Sequence, residues 1–402
     1  MMMHCPLSFR SYILWICLTF TLLLASCSKP PEPEVVTPDP AIEDAIAWGK
    51  FIKNYENYLE TFFKANSIPG SAVVVVKGDS IAYINGFGVR EKEQPGSVDP
   101  QTIFRIGSLS KGFASVAAAT LVEDGLLQWD ERLIDILPGF ALKNQEQAQR
   151  ITVKHILSHS TGLPRHTFTN LVEDGLPLSE IMGRFAEVDL LGKEGQSFGY
   201  QNASYSLIQL VIEAKTGLSY EDYLKKTIFD AGGLTSASTD AASFKSSPNH
   251  ALPHRRMPGQ GYQPVPLNQK YYSASAAGGV NASISDMGQW LKIVLGGRPD
   301  IIKQKSLDQL FTPIIETPKQ EYFDGWEGVT KSSYGMGWRV LAFEGRKLAY
   351  HGGLVNQFRC EIALDLENKT GICFLFNTQS FYARIAVPSF LHMHQMYLDL
   401  KP

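Results

Sequence analysis

The chain is expected to fold as an α+β (α/β) protein, with one antiparallel sheet assembled from both chain ends, helices flanking it, and a mainly helical subdomain inserted between them. Three observations point there. Near the start, Ala72-Val73-Val74-Val75-Val76 turns at Lys77-Gly78-Asp79 into Ser80-Ile81-Ala82-Tyr83, which reads as two strands and a tight turn. Near the end, the runs 337–343, 347–350, 358–365 and 372–376 are short and separated by turn residues, as strands are. Between them, from Leu121 to about Tyr272, the signals are helical and punctuated by Gly and Pro.

The N-terminus is expected to lie outside that fold. His4 and Arg10 precede an apolar stretch from Tyr12 to Ala25, too short for a membrane span and well suited to a secretory leader. It ends in Leu24-Ala25-Ser26-Cys27, which resembles the lipobox of bacterial lipoproteins. The resemblance implies a signal peptide over 1–26 and lipidation of Cys27, so that the protein is exported and anchored to a bacterial membrane, facing periplasm or cell exterior. Residues 27–41, rich in proline and acid, read as an extended tether of about 40 Å at ~3.1 Å per residue.

Composition narrows the partners. Across 402 residues the hydrophobic share is 44%, the charged share 19% and the formal net charge -3, with no run of Lys and Arg interleaved with aromatics, which argues against nucleic acid. A small-molecule or peptide substrate is expected, with the membrane met only through the anchor, a monomer, and no cofactor or metal. Of five cysteines, Cys5 and Cys17 leave with the leader and Cys27 carries lipid. Cys360 and Cys373 flank a hairpin turn near Asn368 out of register, whereas a disulfide needs Cα atoms within ~7 Å, so two buried free thiols are expected.

Residues 42–402 then form one catalytic domain with a helical insertion over about 112–272. Helical spacing from Ala41 to Lys64 (Phe51, Ile52, Leu59, Phe62, Phe63) gives a long opening helix. Short helices follow at 152–158, 178–185 and 201–214, the last closed by Gly217. Lys245 to Tyr271, rich in Pro and Gly, reads as a long surface excursion. Helices resume over 283–295, and a terminal helix runs over 380–398.

The chemistry centres on Phe104-Arg105-Ile106-Gly107-Ser108-Leu109-Ser110-Lys111-Gly112-Phe113, a polar opening to an apolar helical run. Residues i and i+3 share a helical face, which brings the Lys111 amine towards the Ser108 hydroxyl. A Ser-x-x-Lys pair at a helix start activates a serine without a histidine, provided that burial and the helix dipole depress the lysine. By itself the pair is a weak signal, since Ser26 to Lys29 repeats it across the leader boundary. Two other motifs are set aside. His155 and His159 have zinc spacing but no Glu follows the first, so they read as structural. Ser285-Asp286-Met287 sits where a helix cap belongs.

Order and setting strengthen the pair. Ser108-Leu109-Ser110-Lys111, Tyr200-Gln201-Asn202 and His351-Gly352-Gly353, supported by Ile151 to Pro164 and by Tyr334-Gly335-Met336-Gly337-Trp338, resemble the serine β-lactamase and penicillin-binding protein superfamily, in its class C branch. The resemblance covers roughly Tyr55 to Met396 and implies a β-lactamase/transpeptidase-like fold. It implies a serine hydrolase acting through an acyl-enzyme on β-lactams, D-amino-acid peptides or small esters and amides. In it Ser108 is the nucleophile, Lys111 the base, Tyr200 the proton shuttle and Asn202 the orienter of lysine and substrate. His351 stands where lysine is common and would bond Tyr200 or a substrate carboxylate. Gly352 and Gly353 let the strand approach the substrate, and the amides of Ser108 and Leu354 would form the oxyanion hole. Lys215-Thr216-Gly217 and Lys369-Thr370-Gly371 imitate a family motif but fall at a helix stop and a turn. His351 in place of lysine, and Gln357 where relatives often carry glycine, argue against efficient β-lactam hydrolysis. The alternative is a non-hydrolytic penicillin-binding sensor or binding module, against which the complete set Ser108, Lys111, Tyr200 and Asn202 stands.

Overall fold

The two ends of the chain meet in one sheet. A computed structural model describes residues 39–318 and 322–400. The leader, Cys27 and the tether up to residue 38 lie outside the described residues. The opening helix α1 (Pro40–Asn66) leads into β1 (Gly70–Lys77) and β2 (Ser80–Gly88). The closing segment supplies β7 (Ile315–Glu316), β8 (Val329–Tyr334), β9 (Arg339–Phe343), β10 (Arg346–Val355), β11 (Phe358–Asp365) and β12 (Thr370–Phe376). These form an eight-stranded sheet in the order β2-β1-β12-β11-β10-β9-β8-β7. The join is antiparallel, with Ser71 opposite Phe376 and Lys77 opposite Thr370.

The valine run explains why β1 is central. Val73 and Val75 face one side while Ala72, Val74 and Val76 face the other, and all five are buried. A strand buried on both faces reads as continuous apolar sequence, and each buried Val contributes roughly 1.5–3 kcal/mol of transfer free energy. On one side lie α1 and the terminal helix α5 (Phe381–Asp399). The α1 side chains that reach the sheet are Phe51, Tyr55, Leu59 and Phe63, spaced by four.

The other side carries the helical layer. Its central element α2 (Ser110–Glu123) is preceded by a 3-10 turn at Gly107–Leu109, and Ser108 sits in that turn. Nearly every residue of α2 from Ser110 to Leu121 is buried, as befits a helix with neighbours all round. Phe113 stacks on Trp290 of α4 (Ile284–Lys292) with ring centroids 3.8 Å apart. Between them in sequence lies α3 (Asn202–Thr216), which Gly217 ends in the left-handed conformation. A small two-stranded sheet, β3 (Ile103–Arg105) with β6 (Asn281–Ser283), ties the entry to α2 to the entry to α4. A capping box of Ser283 and Asp286 starts α4.

The α+β arrangement read from the sequence is therefore present, with three corrections. Strands β7 and β8 were not foreseen; β8 alternates poorly, because its outward residues Thr330 and Lys331 interrupt the apolar pattern. The segment 245–271 is more than a surface excursion. It carries a hairpin, β4 (His254–Met257) with β5 (Gly261–Pro264), pinned to the sheet end by His254 N–H to the Asn377 carbonyl at 2.7 Å. Gly337 and Trp338, expected to open the next strand, belong instead to the turn between β8 and β9. Cys360 and Cys373 are free and buried, as expected; Ile362, not Cys360, lies opposite Cys373.

One contact sets the height of β10 against the 3-10 turn. A Cβ at Gly353 would lie 2.2 Å from the Ile106 carbonyl oxygen, and a Cβ at Gly107 would lie 2.8 Å from the Leu354 amide nitrogen. No side chain fits between these backbones. Gly353→Ala is expected to destabilise the protein by about 1–3 kcal/mol, read as a lower urea midpoint at unchanged slope.

Candidate active site

Lys111 stands on the first turn of α2, and its side chain is fully buried. Its Nζ is 2.8 Å from Asn202 Oδ1, 2.9 Å from the Ala277 carbonyl oxygen and 3.4 Å from Ser108 Oγ. Burial, with the Arg339 guanidinium acting in the same direction, holds this amine well below its ordinary range. A neutral amine has two N–H bonds and one lone pair. Asn202 and Ala277 accept the two hydrogens, which leaves the lone pair to the Ser108 hydroxyl.

Tyr200 closes the other side of the serine. Its phenol is buried and in hydrogen-bond contact with Ser108; burial pushes it up to about 12, offset in part by that bond and by Arg339. At neutral pH it is therefore a proton donor and not a phenolate. Asn202, at the N-terminus of α3, has its amide orientation fixed at both ends. Its Oδ1 takes the lysine hydrogen, and its Nδ2 donates to the Tyr271 hydroxyl at 3.0 Å. Tyr271 in turn bonds Glu173 at 3.2 Å.

His351 is placed in the site but not as foreseen. Its Nε2 lies 2.9 Å from the Tyr334 hydroxyl, not bonded to Tyr200, and its Nδ1 lies 2.8 Å from the Gly352 carbonyl oxygen. A carbonyl only accepts, so Nδ1 carries the hydrogen and Nε2 receives the Tyr334 hydroxyl proton. Burial, with the Arg339 guanidinium acting in the same direction, keeps the ring neutral. The reason for the different partner is β8, whose last residue is Tyr334 and whose presence the alternation pattern concealed. The Leu354 amide lies against Gly107, one residue before the serine, and Gly353 lies against the Ile106 carbonyl.

The supporting stretches have structural explanations. The Tyr334 to Trp338 turn packs on the start of α2: Trp338 occupies the space beside Gly112, and a Cβ at Gly337 would lie 2.8 Å from the Lys111 carbonyl oxygen. Tyr205 donates to that carbonyl at 2.7 Å. Of the two histidines with zinc spacing, His155 completes a helix cap with Thr152. His159 is buried, accepts from the Gln201 N–H at 3.2 Å and lies 4.4 Å, ring to ring, from Tyr200.

Sequence reasoning missed Arg339 and Tyr271. Arg339, 5% exposed, begins β9, stacks its guanidinium 3.5 Å from the centre of the Tyr322 ring, and lines the same cavity of about 820 Å³ as Ser108. Its Nη1 has no hydrogen-bond partner among the described residues. The available signal was an arginine opening a strand whose other residues are apolar, since unpaired charges are seldom buried without a task. Tyr271, at a positive φ of 69°, belongs to the loop taken for a surface excursion. Buried Arg105 holds that loop, donating from Nη1 to the Asn268 carbonyl at 3.0 Å and from Nη2 to the Lys270 carbonyl at 2.5 Å.

Known proteins resemble this chain in sequence and in fold. A hydrolase of unguisins, ungD', from Aspergillus campestris is 29% identical over 309 residues, which cover 74% of this chain and 56% of that protein. Protein flp of Staphylococcus aureus is 24% identical over 335 residues, 81% of this chain and 63% of flp. The chain thus spans between half and two thirds of the length of these curated relatives. Among solved structures, an octameric penicillin-binding protein homologue from Pyrococcus abyssi has a TM-score of 0.72 at 25% identity, covering 85% of this chain and 77% of the other. The structure of SurE, at a TM-score of 0.68 and 19% identity over 88% and 75% of the two chains, shares the fold. Residues 55–387 match the Beta-lactamase family model, and with that match over most of its length the chain belongs to the beta-lactamase family.

Proposed function

We propose that this protein is a serine hydrolase that forms and hydrolyses an acyl-enzyme at Ser108, on substrates drawn from β-lactams, D-amino-acid peptides or small esters and amides. The observation that carries the reading is the fully buried Lys111, held well below its ordinary range, with Asn202 Oδ1 and the Ala277 carbonyl accepting from its Nζ and Ser108 Oγ at 3.4 Å. The lone pair takes the serine proton while Oγ bonds the carbonyl carbon. The carbonyl oxygen becomes an oxyanion facing the Ser108 and Leu354 N–H groups, each such donor worth roughly 10²–10³ in rate. As the bond to the leaving atom breaks, that atom takes the phenolic proton of Tyr200, and the proton on Lys111 replaces it. Water then attacks the acyl carbon, gives a proton to the same base, and the ester bond to Oγ breaks with Oγ reprotonated.

A substrate carboxylate falls to Arg339. His351 carries no charge and both its nitrogens are engaged, whereas Arg339 is a buried cation in the cavity with a free donor. Leaving groups that bear a carboxylate are therefore favoured. The Leu24 to Cys27 sequence supports an exported protein held on a membrane by lipid at Cys27.

Five outcomes check this reading. Ser108→Ala is expected to lose all covalent labelling by a fluorescent penicillin and all turnover of a carboxylate-bearing thioester, with an unchanged melting curve; persistent labelling would move the nucleophile elsewhere. Since the base must be unprotonated, kcat/KM should rise with pH through one ionisation lying well below 10.5 and then stay level. Lys111→Arg, whose side chain cannot shed a proton, should lower kcat/KM by at least ~10²-fold. Arg339→Gln removes a cation that disfavours the lysine ammonium, so it should shift that ionisation to higher pH and raise KM for carboxylate-bearing substrates. In a bacterial host, Cys27→Ser should abolish incorporation of radiolabelled palmitate and release the protein from the membrane fraction.

A further inference from the structure

We propose that the substrate carries a second acidic group, on the acyl side of the reacting carbonyl, and that Arg359 and Arg255 receive it; the proposal rests on the hydrolase reading above. The cavity around Ser108 is lined by five cationic residues, Arg165, Arg255, Lys270, Arg339 and Arg359, against a single carboxylate, Glu173. The whole chain, by contrast, is net negative at -3. The positive charge is thus local to the cavity, where low-dielectric walls focus it.

The cations fall on two flanks. Arg339 lies on β9, to one side of β10, with its guanidinium 5.9 Å from the ring of Tyr200. Tyr200 protonates the leaving atom, so this flank is the leaving-group side. On the opposite side of β10 stands β11, where Arg359 pairs in register with Phe376 near the end of β12. The chain continues from β12 into Asn377 and Thr378, which hold β4 through the 2.7 Å bond to Asn377 and a bond from Thr378 Oγ1 to the His254 carbonyl at 3.0 Å. Arg255 is the next residue of β4. Arg359 and Arg255 therefore share the acyl flank.

Their states suit a ligand acid. Glu361, 1% exposed, accepts from Arg359 Nε at 2.5 Å and from the Tyr350 hydroxyl, which locks the guanidinium by its inner nitrogen. Nη2 lies over the strand beside Gly352, 3.0 Å from where a Cβ on that glycine would stand. A terminal edge held in this way is prepared for bidentate contact with a carboxylate. Glu361 cancels the charge of Arg359, and the net positive charge on this flank comes from Arg255, which is exposed and makes no ion pair among the described residues. The arrangement selects a doubly acidic substrate, with one carboxylate on the leaving group at Arg339 and one on the acyl group at Arg359 and Arg255.

Two thioesters with the same thioglycolate leaving group test it on the full chain, one with a glutaryl-D-alanyl acyl part and one with a valeryl-D-alanyl part. They differ only by a terminal carboxylate in place of a methyl group. The glutaryl ester should show a kcat/KM at least ~10-fold higher at low salt, with the advantage shrinking as salt is added. Arg255→Gln and Arg359→Gln should each bring the ratio towards one; should Arg359→Gln fail to fold around the buried Glu361, Arg255→Gln on the exposed hairpin answers alone. Equal turnover of the two esters by the native protein, or a preference that Arg255→Gln leaves intact, overturns the acyl-side site while the hydrolase stands. If neither ester is consumed and neither acylates Ser108, the hydrolase reading falls and this one with it.

Discussion

The structure depends on one buried amine whose surroundings disfavour its proton. Moving an ammonium into a site with no water costs several kcal/mol unless charge or hydrogen bonds compensate. At Lys111 the hydrogen bonds suffice for an amine, and among the described residues no carboxylate pairs with it. Much of the surrounding fold serves that state. Gly112 is glycine because Trp338 occupies the space beside it, which seats the Tyr334 to Trp338 turn on the first turn of α2. Asn202 presents its oxygen and not its nitrogen because Tyr271 and Glu173 hold the other end of its amide.

The same field governs the neighbours. His159 and His351 are both buried, both held well below the ordinary histidine range by that burial, and both pushed further down by the Arg339 guanidinium. Their tautomers differ: His159 accepts at Nδ1 from the Gln201 amide, while His351 donates from Nδ1 to the Gly352 carbonyl. Each histidine positions an aromatic ring without adding charge. Arg339 is the exception, a permanent cation sunk among Tyr322, Tyr334 and Tyr200. Stacking on Tyr322 compensates part of its desolvation, and a substrate anion would compensate more.

The architecture was legible wherever one residue type serves one purpose. The valines of β1 are apolar on both faces because both faces are buried, and Gly217 ends α3 because an L side chain would be strained at its φ of 72°. Ser108, Lys111, Tyr200 and Asn202 were legible from order and setting, and the structure brings them together. What escaped depends on partners distant in sequence. Strand β8 owes its place to β9 and β7 rather than to its own alternation. Tyr271 sits in an irregular loop whose order comes from Arg105, over 160 positions earlier. His351 pairs with Tyr334 through the sheet, a contact that no spacing announces.

The charge on Lys111 itself is the most direct test. In protein labelled with 15N at lysine Nζ, the Lys111 resonance, assigned by its loss in Lys111→Ala, can be followed through a pH titration by NMR. An amine-type shift at neutral pH, with protonation only as the solution is made acidic, is the expected result. An ammonium shift that persists at neutral pH and titrates near the ordinary lysine value of 10.5 would contradict the account, because Ser108 would then have no base beside it.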